Sequence, residues 1–258
     1  MSKPDLLTAA KLSPLFLPQL EAAFTLHDRV HVENPTAFEA VAPRIRAIAA
    51  SGESKVPAEL IERLPALEII SVMGVGYDGV DVVAARQRNV MVTHTPDVLN
   101  DDVADLALGL MLAAARQLPQ ADRYVREGRW AAQGPAPLAR KMSGARLGLV
   151  GIGRIGQAIA ARALAFGMSV AYTARHARPE LPHAYLPNAV ALAEQSDFLV
   201  VITPGGAATR KLIGAEVLAA LGPKGILVNV ARGSVVDEAA LIDALERGAL
   251  GGAALDVF

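Results

Sequence analysis

The chain has 258 residues, is 52% hydrophobic and carries a formal net charge of -1, enough apolar material for one large α/β domain or two smaller ones. That near-neutral balance argues against nucleic acid or another polyanion as partner. The absence of cysteine excludes disulfides, thiolate catalysis and Cys-based metal sites, and suits a cytoplasmic location. The opening Met1-Ser2-Lys3-Pro4-Asp5 holds no long apolar run of the kind a secretory signal needs.

Residues 46–50 read as a strand and 57–64 as a helix with Pro57 near its first turn. Residues 68–73 form the next strand, which runs into Gly74-Val75-Gly76-Tyr77-Asp78. A helix over 82–88 and a strand over 90–93 follow. This β-α-β rhythm predicts a parallel sheet with helices on both faces. Thr95-Pro96-Asp97 breaks it, with Asp97 or Asn100 as candidate caps for the next helix. The stretch 95–100 is the expected hinge, dividing a first domain (1–97) from a second (98–258).

Residues 101–127 read as a long helical stretch, interrupted near Pro119. Its middle, 106–115, is apolar all round, which predicts burial on most sides, between domains or in a dimer. It lies between Asp105 and Arg116 and is too short to span a bilayer, so no membrane partner is expected. Residues 128–144 look like a loop anchored by Trp130. A second α/β set then begins at Arg146, with strands over 147–150, 168–173, 198–203, 226–230 and 251–257. Helices are predicted over 155–166, 189–194, 215–221 and 238–247, with Gly222 as a C-cap and Pro223 beyond it. The fold class expected is α/β, with two Rossmann-like or flavodoxin-like parallel-sheet domains and a cleft between them.

Gly151, Gly153 and Gly156 fit the G-x-G-x-x-G spacing between strand and helix. The first glycine allows a tight turn, the second admits a pyrophosphate to the backbone, and the third lets helix pack on strand. A turn without ligand uses the same residues, so the flanking strand and helix carry the argument for a dinucleotide. In NAD-dependent sites of this kind an acid some twenty residues on binds the ribose 2′-OH. That position here is Ala174, followed by Arg175 with Arg178 close by. A carboxylate repels a 2′-phosphate and an Arg pairs with it, so NADPH is favoured over NADH.

Further motifs line up in order. They are Val75-Gly76-Tyr77-Asp78, Asp101-Asp102-Val103-Ala104-Asp105, the glycine turn, Asn229-Val230-Ala231-Arg232-Gly233-Ser234-Val235-Val236-Asp237-Glu238, and Leu255-Asp256-Val257-Phe258. From about Ala47 onward the chain resembles the D-isomer-specific 2-hydroxyacid dehydrogenases, in particular their hydroxypyruvate/glyoxylate and hydroxyphenylpyruvate reductase branch. The resemblance implies a cofactor domain inserted into a substrate domain. It also implies a small 2-oxo acid as substrate, a D-2-hydroxy acid as product, and a homodimer.

Residue by residue, the resemblance implies that Gly151, Gly153, Arg154, Ile155 and Gly156 hold the cofactor's phosphates. Val230 and Ala231 contact the nicotinamide side through backbone, and Asp256 binds its carboxamide. Val75 and Gly76 offer backbone N–H groups to the substrate carboxylate. Arg232 holds the carboxylate or carbonyl and stabilises negative charge as hydride arrives.

In family order a Glu, then a proton-donating His, follow the Leu-Asp-Val-Phe motif, which here ends at Phe258. The expectation is a chain truncated at its C-terminus, one that still binds cofactor and substrate but turns over poorly or not at all without that Glu and His. Of the five histidines, His94 ends a strand beside the hinge. A structural or solvated role is its plainer reading, a replacement acid the sharper one. A second functional reading is a non-catalytic nucleotide-sensing or interaction module, as some relatives of this fold act as corepressors.

Overall fold

Parallel strands cannot be joined by tight hairpins, and the sequence supplies a helix or long loop for nearly every crossover. The computed structural model describes residues 3–258. It divides into two compact units, with the division between Val98 and Leu99.

The first unit runs β1 (Asp5–Thr8), α1 (Leu17–Ala23), β2 (Thr25–Asp28), α2 (Val30–Glu33), α3 (Pro35–Val41), β3 (Ile45–Ser51), α4 (Ala58–Glu62), β4 (Ile69–Met73), α5 (Val82–Gln87) and β5 (Met91–Thr93). Its five strands are all parallel, in the flavodoxin-like order β2-β1-β3-β4-β5. Leu7, Phe38, Ile45, Ile48, Ile61, Leu64 and Ile70 fill its core. Each such side chain contributes roughly 1.5–3 kcal/mol on burial. Asp81 caps α5 by accepting from Ala84 N–H at 2.8 Å.

The second unit opens with α6 (Asn100–Arg116), α7 (Leu118–Arg126) and α8 (Arg129–Gln133). It continues with β6 (Arg146–Val150), α9 (Arg154–Ala165), β7 (Ser169–Thr173), β8 (Ala184–Tyr185), α10 (Ala189–Glu194), β9 (Phe198–Val201), α11 (Ala215–Leu221), β10 (Ile226–Asn229), α12 (Glu238–Glu246) and β11 (Gly252–Leu255). The sheet order is β11-β10-β9-β6-β7-β8, parallel throughout. Counted from β6, this is the 3-2-1-4-5-6 order of the Rossmann fold, with its switch point between β6 and β9.

Several local expectations need correction. The interruption expected near Pro119 is present, though it lies at Gln117, which takes a left-handed φ of 53°, while Pro119 sits in the first turn of α7. Neither Asp97 nor Asn100 is the N-cap of α6. That position is Leu99, which makes no side-chain cap, and Asp101 and Asp102 complement the helix dipole instead. The apolar middle of α6 is buried mainly along Ala104, Ala107, Leu108, Met111 and Ala115, whereas Leu106 is 40% exposed. Residues 129–133 are helical rather than loop, and Trp130 is no anchor, being 55% exposed. The stretches 202–203 and 256–257 leave the sheet as loop.

Helix α6 packs on α9 through that apolar stripe, and Arg162 of α9 bonds to Asp101 and Asp105 of α6 at 2.9 and 2.5 Å. Exposed ion pairs are worth about 0–1 kcal/mol, so the apolar stripe dominates the docking and the two acids fix its register. Among the described residues no helix is long and apolar enough to cross a membrane, and no cluster of acidic or His side chains could hold a metal.

Candidate active site

In the second sheet the expected residues follow the carboxyl ends of four parallel strands. β6 runs into Gly151, β7 into Ala174 and Arg175, β10 into Val230, Ala231 and Arg232, and β11 into Asp256. In open α/β sheets this is the edge where ligands bind.

The glycine turn is wedged between the ends of β7 and the loop after β9. Gly151 N–H donates to Thr173 O at 3.0 Å. Its φ is +108°, and a Cβ there would lie 2.6 Å from Ile202 O. A Cβ on Gly156 would lie 2.7 Å from Gly151 O, so both positions require glycine. Gly153 differs, because a Cβ there meets nothing within 4 Å. It is the N-cap of the twelve-residue α9 and supplies no side-chain cap. The result is an open cradle beneath the positive end of a helix dipole, flanked by Arg154 and Ile155, and a pyrophosphate fits it.

Buried Tyr172 and Thr173 end β7, and Arg175 is exposed in the loop that follows. Arg178 is engaged by Glu180 at 2.7 Å, and its N–H donates to Tyr172 Oη at 2.6 Å, which fixes the loop. Arg175 makes no such pair among the described residues, and no carboxylate occupies position 174. An uncommitted guanidinium here suits a phosphate better than a ribose hydroxyl.

The turn after β10 is built by one side chain. Asn229 is 1% exposed; its Oδ1 accepts from Ala231 N–H at 3.0 Å and its Nδ2 donates to Arg232 O at 2.9 Å. Its own carbonyl accepts from Asp256 N–H at 3.0 Å, tying the ends of β10 and β11 together. A buried amide satisfied on both ends is a rigid brace. Val230 and Ala231 are buried, while Arg232 is half-buried and donates from Nη1 to Ala231 O at 2.7 Å. The backbone of Phe258 lies against Gly233, where no Cβ could fit. Sequence reasoning names Asn229 only as a flanking residue, because its bracing role depends on its burial and on the local turn.

In the first unit, Val75 and Gly76 occupy the loop after β4. Gly74 has φ +143° and is clasped by Thr95, whose Oγ1 accepts from Gly74 N–H and whose N–H donates to Gly74 O, both at 3.0 Å. His94 Nδ1 lies 3.1 Å from Val75 O, and the Tyr77 ring meets the imidazole edge-on at 4.9 Å. The N–H groups of Val75 and Gly76 have no acceptor among the described residues. Two adjacent N–H groups without an acceptor are donors that an anion could use.

A glycine turn leading into a helix at the switch point of a 3-2-1-4-5-6 sheet defines a Rossmann-type α/β protein. Residues 108–258 match the family model described as D-isomer specific 2-hydroxyacid dehydrogenase, NAD binding domain. The chain is 47% identical over 257 residues to a 2-ketogluconate reductase of Gluconobacter oxydans, covering 100% of this chain and 82% of that protein. It is 49% identical over 214 residues to a glyoxylate/hydroxypyruvate reductase of Arabidopsis thaliana, covering 83% and 68%. Its structure resembles that of an NADPH-dependent glyoxylate/hydroxypyruvate reductase from Sinorhizobium meliloti, solved in complex with NADP and malonate. The TM-score is 0.90 at 48% identity, over 100% of this chain and 80% of that one. The chain therefore belongs to the D-isomer-specific 2-hydroxyacid dehydrogenase family.

Proposed function

We propose that this protein is an NADPH-dependent reductase that converts a small 2-oxo acid to the D-2-hydroxy acid. The observation that carries this reading is the pairing of an open glycine cradle on α9 with an uncommitted Arg175 where an acid would mark NAD. Bound NADPH supplies the hydride. The N–H groups at the start of α9, from Arg154, Ile155 and Gly156, hold its pyrophosphate, and Arg175 takes its 2′-phosphate. Val230 and Ala231 would border the nicotinamide, and Asp256 would accept from its carboxamide.

On the substrate, Val75 and Gly76 N–H groups hold the carboxylate. Arg232, its turn braced by Asn229, holds the carbonyl oxygen and stabilises the charge that develops there, and the alkoxide left by hydride transfer takes its proton from the His that the family carries after the Leu-Asp-Val-Phe motif. Residues 1–98 serve as the substrate domain and 99–258 as the cofactor domain. Hydroxypyruvate and glyoxylate are the first substrates, and a bulkier aryl-pyruvate is the runner-up. The 2-ketogluconate reductase among the relatives adds a sugar acid to the same chemical class. Reductase names among the relatives favour this reading over a non-catalytic nucleotide-sensing module. A homodimer in the cytoplasm is the expected working form.

The test is oxidation of NADPH with glyoxylate, hydroxypyruvate, hydroxyphenylpyruvate and 2-ketogluconate, with the product resolved on a chiral column. Turnover giving only the D-enantiomer from hydroxypyruvate is expected. An L-product contradicts the reading, as does NADPH binding without turnover on any of the four when the family's Glu and His are supplied on the same chain.

A further inference from the structure

The loop after β4 and the end of β5 form a small hydrogen-bonded lattice whose purpose lies on its far side. Thr95 N–H holds the carbonyl of Gly74, and His94 Nδ1 holds the carbonyl of Val75. A carbonyl can only accept, so the proton sits on Nδ1 of His94. A trans peptide is planar, and its C=O and N–H point in opposite directions. No cis peptide occurs among the described residues. The Gly74 carbonyl shares its peptide with Val75 N–H, and the Val75 carbonyl shares its peptide with Gly76 N–H. Holding the two carbonyls on one side therefore aims the two N–H groups to the other. Those are the two donors without an acceptor.

We propose that His94 is a positioning residue for substrate binding. Its Nδ1–H fixes the Val75–Gly76 peptide so that Gly76 N–H, beside Val75 N–H, grips the carboxylate of a 2-oxo acid. The inference rests on the reading of Val75 and Gly76 as the carboxylate donors. A bond to the carbonyl also polarises the amide and strengthens its N–H as a donor. The edge-on ring of Tyr77 holds the imidazole in place. Because its Nδ1 proton is committed to Val75 O, His94 acts through the peptide and not as a replacement acid at that nitrogen.

The test uses oxamate, an unreactive mimic of a 2-oxo acid, titrated by calorimetry into the full chain saturated with NADPH. His94→Phe keeps a ring against Tyr77 and removes the donor. His94→Ala removes both, and His94→Asn returns an N–H close to the place of Nδ1. Oxamate binding should weaken about threefold to tenfold in the Phe and Ala variants, the span expected for one hydrogen bond. It should recover to within about twofold in the Asn variant, with NADPH affinity constant throughout.

With a turnover assay, KM for hydroxypyruvate should rise and KM for NADPH should hold. Gly76→Pro, which deletes the N–H itself, separates the two layers of the argument. If Gly76→Pro weakens oxamate and His94→Phe does not, the role of His94 is overturned and the carboxylate donors stand. If Gly76→Pro folds, judged by an unchanged Tm, and binds oxamate normally, the carboxylate donors are overturned and the role of His94 falls with them. If His94→Asn binds as weakly as His94→Ala, the lost donor is not the cause and the proposal fails.

Discussion

In the proposed reading each unit offers backbone N–H groups to an anion, and the two do so by different means. After β6 the donors belong to the first turn of α9, and a twelve-residue helix aims them with its dipole. After β4 no helix begins until Val82, and the N–H groups of Val75 and Gly76 are aimed by residues that hold the carbonyls of Gly74 and Val75 from behind. The first device is contained in six residues of sequence. The second joins residues 19 and 21 positions apart. Nature of support, more than the donors themselves, decides which device a sequence reveals.

The sharpest way to break the comparison is to remove the charge that neither device supplies. Arg232→Met should lower kcat for hydroxypyruvate by about 10²–10³-fold, as loss of an oxyanion donor does. NADPH affinity should hold, and turnover near the parent value would remove Arg232 from the reaction.

Next in size is the 2′-phosphate contact. Arg175→Ala should weaken NADPH about tenfold to a hundredfold, the range for a hydrogen bond to a charged group, and leave NADH unchanged. Equal losses for the two dinucleotides would place Arg175 outside the phosphate site.

The glycines of the turn separate strain from ligand approach. Gly151→Ala forces a φ of +108° and a contact with Ile202 O, and should cost the second unit about 1–3 kcal/mol in urea unfolding. Gly153→Ala meets open space, so unfolding should be unchanged while NADPH binding weakens. Matching stability losses in the two variants would contradict the assigned roles.

The smallest effect concerns acid. Burial, with help from nearby Arg63, pushes the His31 pKa below its ordinary value. The unfolded chain then takes up a proton first as pH falls. The first unit should therefore lose stability from about pH 6.5 downward until the lowered native pKa is reached. In the second unit the Arg146 side chain bonds to Asp197 and holds its carboxyl below the usual range. That stabilisation is complete above the ordinary carboxylate pKa and is lost only as pH falls below about 4. Peptide-resolved amide exchange at pH 7 and pH 5 should show the first unit loosening alone, and His31→Leu should flatten the trend. Loosening of the second unit first would reverse the assignment.

The fold is legible in the sequence where strands are buried on both faces. Phe198–Val201 and Ile226–Asn229 are fully buried and stand out as apolar runs between turn residues. The first 44 residues give no such signal. Edge strand β2 is only half-covered, β1 is four residues long, and α1 and α2 bury nothing fully. The break at Gln117 and the exposure of Trp130 are also silent, because a left-handed glutamine and an uncovered indole have no sequence signature.

At the candidate site, glycine spacing is readable because sterics dictate it locally. The brace of Asn229 and the backing of His94 and Thr95 are not readable, because they are hydrogen bonds that exist only once the strands are paired.

The most direct test of the central claim is kcat/KM for hydroxypyruvate, measured with NADPH and with NADH under identical conditions. A value at least about tenfold higher with NADPH is expected, from the one charge-assisted contact that Arg175 adds. NADH efficiency equal to or above that of NADPH would contradict it.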